Sequence, residues 1–230
     1  MMQYQLIRSK RKTIAISFDR DGNLVVKAPY FLKNFEIDAF VQSKAEWIEA
    51  TAIRLAREKE RHESSRLKLE NGDTLPYLGE QRVLSVIRED RKRAKVCSAM
   101  ERILLVVPYE ADYEYRRNAL EKWYRKEASD IIEEKASEYA MRLSVSFQDI
   151  HIKDTKSRWG SCSGKGNLNF NWRLVMAPEP VLDYVVIHEL CHLRYMDHSE
   201  HFWNLVAEFC PAYKQYRKWL KEHGESLYLL

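Results

Sequence analysis

The chain has 230 residues, 45% hydrophobic and 31% charged, with a formal net charge of +4 and only seven histidines. Those values describe an ordinary globular protein able to bury a core as one large domain or two small ones, and they exclude a disordered or low-complexity chain. No apolar run is long enough to span a bilayer and the opening MMQYQLIRSKRK lacks the apolar stretch of a signal peptide, so a cytoplasmic protein with no membrane attachment is expected.

The first thirty residues read as strands: TIAISF, a turn at Asp19-Arg20-Asp21-Gly22-Asn23, then LVVKAP. Asn34 is placed to cap a helix whose apolar stripe runs through Ile37, Phe40, Val41, Ile48, Ala52 and Leu55, ending in the polar stretch Arg61 to Ser65. Asn71-Gly72-Asp73 and Leu78-Gly79 punctuate further short strands that finish with ILLVVP at 103–108. From about Ala111 to Leu143 one helical face carries Leu120, Tyr124, Ala128, Ile131, Ile132, Ala136, Tyr139 and Leu143, with charges on the other. A strand FQDIHIKD follows, then RWGSCSGKGNLNFNWRL, in which Gly164-Lys165-Gly166 makes a hairpin turn. Pro178 and Pro180 open the last helical region. The expected fold class is α+β, with a β-rich N-terminal module holding one long helix over 1–108 and a second domain over 109–230.

Charge is uneven along the chain. Residues 1–107 hold 21 Lys/Arg against 15 Asp/Glu, and 108–230 hold 17 against 19. The excess includes clusters at 8–12 and 91–95, which could attract nucleic acid or an anionic substrate. No aromatics interleave with them as a stacking platform would require, so a solvated strand end and a hairpin tip are the favoured reading. Cysteines at 97, 162, 191 and 210 form no CxxC pair and read as reduced thiols. Neither Cys162 nor Cys191 has a second sulfur at ligand spacing.

The informative stretch is HELCHLRYMDHSEHFW, residues 188–203, with four histidines and two glutamates. His188 and His192 are four apart, so a helix sets both imidazoles on one face where they can share an ion. Glu189, beside them, can orient and deprotonate a water without being a ligand. A catalytic zinc takes three protein ligands and keeps one position open. His198, His201, Glu200 and Glu208 compete for the third place. A helix break near Met196, with Asp197 capping a new helix and Glu200 completing a capping box, favours His198 over His201, which then packs or supports from outside the ligand set. Glu208 as third ligand is the weaker alternative.

HELCHLRYMDHSEHFW resembles the HExxHxxxxxHSxxFW signature of the YgjP-like family of metal-dependent hydrolases, zincin-fold proteins classed with the metallopeptidases. RSKRKTIAISF, KAEWIEA, LPYLGE and RWGSCSGKGNLNFNWRLVMAPEPVLDYVVIHEL extend the likeness over nearly the whole chain. The resemblance implies that 109–230 is a minimal zincin-like metallopeptidase domain of long helix, β-hairpin, HExxH helix and C-terminal helices. It implies His188, His192 and His198 as metal ligands and Glu189 as catalytic carboxylate. The HxxxFW tail is also similar to that of WLM-type proteases. Metzincins, which share the histidine spacing, have glycine where this chain has Tyr195; its absence argues against their turn.

Arg158, Arg173 and Tyr195 are candidate contacts to a substrate oxygen in the transition state. Trp159, Trp172 and Trp203 are expected in the core, Cys162 as a buried thiol, and the strand Asn167–Trp172 as an edge to which an extended peptide could add. The leading expectation is a zinc-dependent hydrolase cutting peptide or protein substrates. Iron, cobalt or nickel would suit the same ligands. The alternative is a nucleoside triphosphate pyrophosphatase using the same site, and the third is a nucleic-acid- or partner-binding protein with a structural metal.

Overall fold

The computed structural model describes residues 3–19, 22–64 and 67–230, with backbone only for 58–64. Arg20 and Asp21 of the expected turn, and Ser65 at the expected helix end, lie outside the described residues. Two compact units emerge, Met1–Arg66 and Leu67–Leu230.

In the first unit, β1 (Gln5–Ser9), β2 (Ala15–Phe18) and β3 (Leu24–Pro29) form a sheet in the order β1-β3-β2. β1 runs parallel to β3 and β2 antiparallel. β3 is the apolar centre: Leu24, Val26 and Ala28 pack against Ile37, Val41 and Ile48. The single helix expected here is two, α1 (Asn34–Ser43) and α2 (Ala45–Ser64). The Ser43 hydroxyl donates to the Phe40 carbonyl at 2.7 Å and the Lys44 amide reaches back to Val41 at 3.0 Å, closing α1 with a tight last turn. Lys33, rather than Asn34, stands at the N-cap, its amide donating to the Glu36 carboxylate at 2.7 Å.

Asn34 instead accepts from Arg8 at 2.6 Å, and the same guanidinium donates to the carbonyls of Pro29 and Leu32 at 3.0 and 2.7 Å. Arg91, from the second basic cluster, bonds the Arg93 carbonyl and pairs with Glu89. These two cations hold local backbone together, and nothing supports nucleic acid as a partner of the clusters.

The second unit begins at Leu67. β4 (Thr74–Tyr77), β5 (Glu80–Glu89), β6 (Lys95–Ala99) and β7 (Arg102–Pro108) form a sheet in the order β4-β5-β7-β6, with β5 and β7 parallel. Ile103, Leu105 and Val107 alternate into the core, where α3 (Tyr113–Leu143) supplies Leu120, Tyr124 and Ala128. This shared core is why the sheet belongs with the C-terminal region and the division falls after residue 66 instead of 108. α3 starts where Asp112 accepts the Tyr115 amide at 2.7 Å and stops at Ser144, which takes a left-handed conformation (φ 51°). Among the described residues no helix is long and apolar enough to cross a membrane.

β8 (Ile150–Lys153), β9 (Gly160–Cys162) and β10 (Leu168–Asn171) form a small sheet in the order β8-β10-β9. β10 is therefore central, paired in parallel with β8 and antiparallel with β9, and its backbone is not open to an added peptide as expected of Asn167–Trp172. The short edge belongs to β9. A 3-10 turn over Trp172–Met176 leads into α4 (Glu179–Cys191), α5 (Glu200–Phe209) and α6 (Tyr213–His223).

Arg173, expected near a substrate, is 5% exposed. Its guanidinium pairs with Asp154, donates to the Leu230 carbonyl at 3.3 Å, and lies over the rings of Trp172 (4.2 Å) and Tyr228 (4.4 Å). A side chain so engaged holds the C-terminal strap to the 3-10 turn. Arg173→Ala is expected to lower unfolding free energy by about 2–3 kcal/mol in denaturant titration while leaving metal content unchanged. Unchanged stability with lost turnover would contradict this role.

Candidate metal centre

α4 carries His188 and Glu189 in its last turn and ends at Cys191, so His192 is its C-cap. The helix thus stops earlier than the break expected near Met196. Asp197 accepts the Ser199 amide at 3.2 Å in the connecting turn, and Ser199, not Asp197, precedes α5. That turn folds His198 back over α4. Ligating atoms of His188, His192 and His198 all lie within 4.8 Å of one another.

Nε2 of His188 and Nε2 of His198 are 3.2 Å apart. Two nitrogens each ~2.05 Å from one tetrahedral ion would be about 3.3 Å apart, so this pair already has the spacing of a shared zinc. His192 Nδ1 faces the Tyr195 carbonyl at 3.0 Å, which fixes the proton there and leaves Nε2 free for a cation. The donor set fits zinc and, equally, other imidazole-binding transition metals. His201, Glu200, Glu208, Cys162 and Cys191 do not join the group.

The rings are held by apolar walls. Phe202 is fully buried and stacks on His192 with centroids 4.5 Å apart, while Trp203 stacks on His198 at 5.5 Å and on Tyr213 at 5.2 Å. Tyr195 contributes its carbonyl, and its ring lies against His201 at 6.0 Å. Trp172 is a core residue as expected, but Trp159 lines the cleft.

Glu189 is 5% exposed. Burial pushes its carboxyl up to about 8, against the opposing pull of the Arg158 charge and the hydrogen bond from the Cys162 backbone. Gly160 is the reason it fits: a Cβ there would lie 2.5 Å from Glu189 Oε1 and 2.7 Å from its Cγ. Burial likewise raises the Cys162 thiol to about 11, with Glu189 adding to it, so it stays a thiol.

Over His188 and Glu189 opens a cleft of about 350 Å³, lined by Trp159 and Gly160 at the start of β9 and by Arg217 and Lys221 from α6. An adjoining hollow of about 280 Å³ shares Trp159 and Gly160 and includes Lys153 and Arg158. Of the three candidate substrate contacts, Arg158 alone reaches these hollows.

In the metal-free protein His188 is pushed down to about 3, first by burial and then by the charges of His192, His198 and Arg217. The unfolded chain takes up a proton there near pH 6.5, which the folded state refuses until about pH 3. Its contribution to stability is therefore complete above pH 6.5 and lost as pH falls towards 3. Metal-stripped protein should show a melting temperature that drops over this range, and His188→Gln should flatten the drop.

Residues 12–223 match the family model described as YgjP-like, metallopeptidase domain. The chain belongs to the YgjP-like family. A curated relative of this YgjP-like chain, the UTP pyrophosphatase of Escherichia coli (strain K12), is 30% identical over 77 residues, which is 32% of this chain and 46% of that protein. The chain thus matches under half of that relative's length. Among solved structures, the metallopeptidase zymogen of Pyrococcus abyssi abylysin aligns with a TM-score of 0.36 at 24% identity, covering 39% of this chain and 93% of the other. The zymogen of Methanocaldococcus jannaschii jannalysin gives 0.32 at 26%, covering 34% and 80%.

Within the YgjP-like chain, three features escape a reading of motifs. Gly160 lies in a turn-like GSCSGKG run with nothing to mark its contact with Glu189. Trp203 reads as core, and nothing marks Phe202 as the ring stacked on His192. Arg217 and Lys221 are four apart on a charged helix, a pattern that does not reveal that α6 faces α4.

Proposed function

We propose that this chain is a metal-dependent hydrolase in which His188, His192 and His198 hold a zinc ion and Glu189 is the general base, and that it cleaves peptide bonds. The observation that carries the reading is the convergence of three imidazoles beside a buried carboxylate at the floor of an open cleft. A zinc ion bound there would lower the pKa of a water towards ~7 and polarise the group under attack. Glu189 takes the proton from the attacking water and returns it to the leaving amine. The Cys162 amide keeps the carboxylate aimed.

The second reading keeps the same residues and changes the bond to the phosphoanhydride of a nucleoside triphosphate. It is favoured by the Escherichia coli relative and by the cationic side chains lining the cleft. Elemental analysis of protein purified without added metal, followed by panels of unfolded polypeptides and of nucleotides, tests both. About one zinc per chain with turnover of polypeptide is expected. Turnover of nucleotides alone sinks the peptidase and leaves the second reading, and a His198→Ala variant that retains full metal content overturns the ligand set.

A further inference from the structure

The cleft above the metal centre is unbalanced in charge. Arg217 and Lys221 line it from one turn of α6, Arg158 and Lys153 line the adjoining hollow, and Glu189 is the one acidic residue in either lining. No ion pair among the described residues engages any of these four cations. Lys218, one residue from Arg217 on the same helix, does pair, with Glu222 at 3.8 Å.

Two like charges at i and i+4 on a helix repel each other, so the pairing of Arg217 with Lys221 does not stabilise α6. Arg217 also stands over the Trp203 ring at 5.3 Å, which directs the guanidinium while leaving its donors free. A guanidinium fork and an ammonium one turn apart, facing a site that itself gathers positive charge, are suited to an oxyanion: a phosphate or a carboxylate beside the bond to be cut.

We propose that Arg217 and Lys221 are specificity-determining residues that select substrates carrying an oxyanion next to the scissile bond. The proposal rests on the hydrolase reading for what the cleft does, and the anion binding itself can be measured apart from turnover. An uncharged substrate would leave both cations facing the vacant wall, whereas an anionic one would be drawn in and oriented across Glu189.

The test uses the full chain as purified, with metal content quantified alongside. Binding of inorganic triphosphate, of a Glu-containing peptide and of the matching Gln peptide is measured by calorimetry at low and at physiological salt. Wild type is expected to bind at least one anionic probe at least tenfold tighter than the Gln peptide. Arg217→Ala/Lys221→Ala should lose that preference, with metal content and melting temperature unchanged. Lys218→Ala removes one charge from the same helix away from the cleft and should bind within twofold of wild type.

The proposal is overturned if the double variant keeps the preference, if Lys218→Ala loses as much, or if wild type shows no preference. The triphosphate and Glu-peptide arms show which source the oxyanion has. Protein that holds no metal yet shows the expected binding pattern would sink the hydrolase reading and leave this one standing. A metal-loaded protein that hydrolyses substrate without charge preference would do the reverse.

Discussion

Glu189→Gln should reduce kcat by about 10²–10⁴-fold with metal content kept, because in the proposed mechanism the carboxylate moves the proton and is not one of the three converging nitrogen donors. The amide fills the same space and can still accept from the Cys162 backbone, so the fold is undisturbed. A second readout comes from stability. In metal-free protein the folded state keeps a proton on Glu189 up to about pH 8, whereas the unfolded chain releases it near 4.5. The stability tied to that proton is complete below pH 4.5 and lost as pH rises through 8. Glu189→Gln should remove this slope in a melting-temperature series. Near-wild-type turnover in the variant would end the general-base assignment.

Gly160→Ala should cost at least about 10²-fold in kcat with KM and metal content close to wild type. One methyl group at this position would meet the Glu189 side chain at 2.5–2.8 Å, well inside contact distance. Either the strand backs away, losing the Cys162 hydrogen bond, or the carboxylate swings out. Displacements of about 1 Å at a reacting centre cost rates of that order. The burial of Glu189 on its other sides leaves little room for a painless adjustment. Because β9 spans three residues at a sheet edge, the change should lower the melting temperature only modestly. A variant that unfolds, or one that loses metal and activity together, would mean that Gly160 serves the scaffold and not the position of Glu189.

The parts of this molecule that are legible in sequence are those encoded locally. The i, i+4 spacing of His188 and His192 and the long apolar face of α3 are properties of single helices, and both appear where expected. His198 lies beside His188 and His192 because the break between helices is itself local, although the turn comes earlier than expected and is capped differently. What the sequence hides is tertiary. The β4–β7 sheet looks like part of an N-terminal module until its apolar face is seen under α3. β10 looks like an edge until β8 pairs with its other side. Arg173 flanks the hairpin just before α4 and invites a catalytic role, but Asp154 and two aromatic rings claim it. Arg217 and Lys221 are unremarkable on α6 alone and acquire meaning only from facing α4.

His188 and His192 hang from the same helical turn but are not equivalent. The Tyr195 carbonyl holds one ring in a fixed tautomer, while Nδ1 of the other is buried with no hydrogen-bond partner. A substitution bringing an acceptor to that orphan nitrogen would pin its proton and make the opposite nitrogen more basic. The strength of cation retention, and the preference among ions, could then be tuned from behind the imidazole without altering any surface a ligand touches.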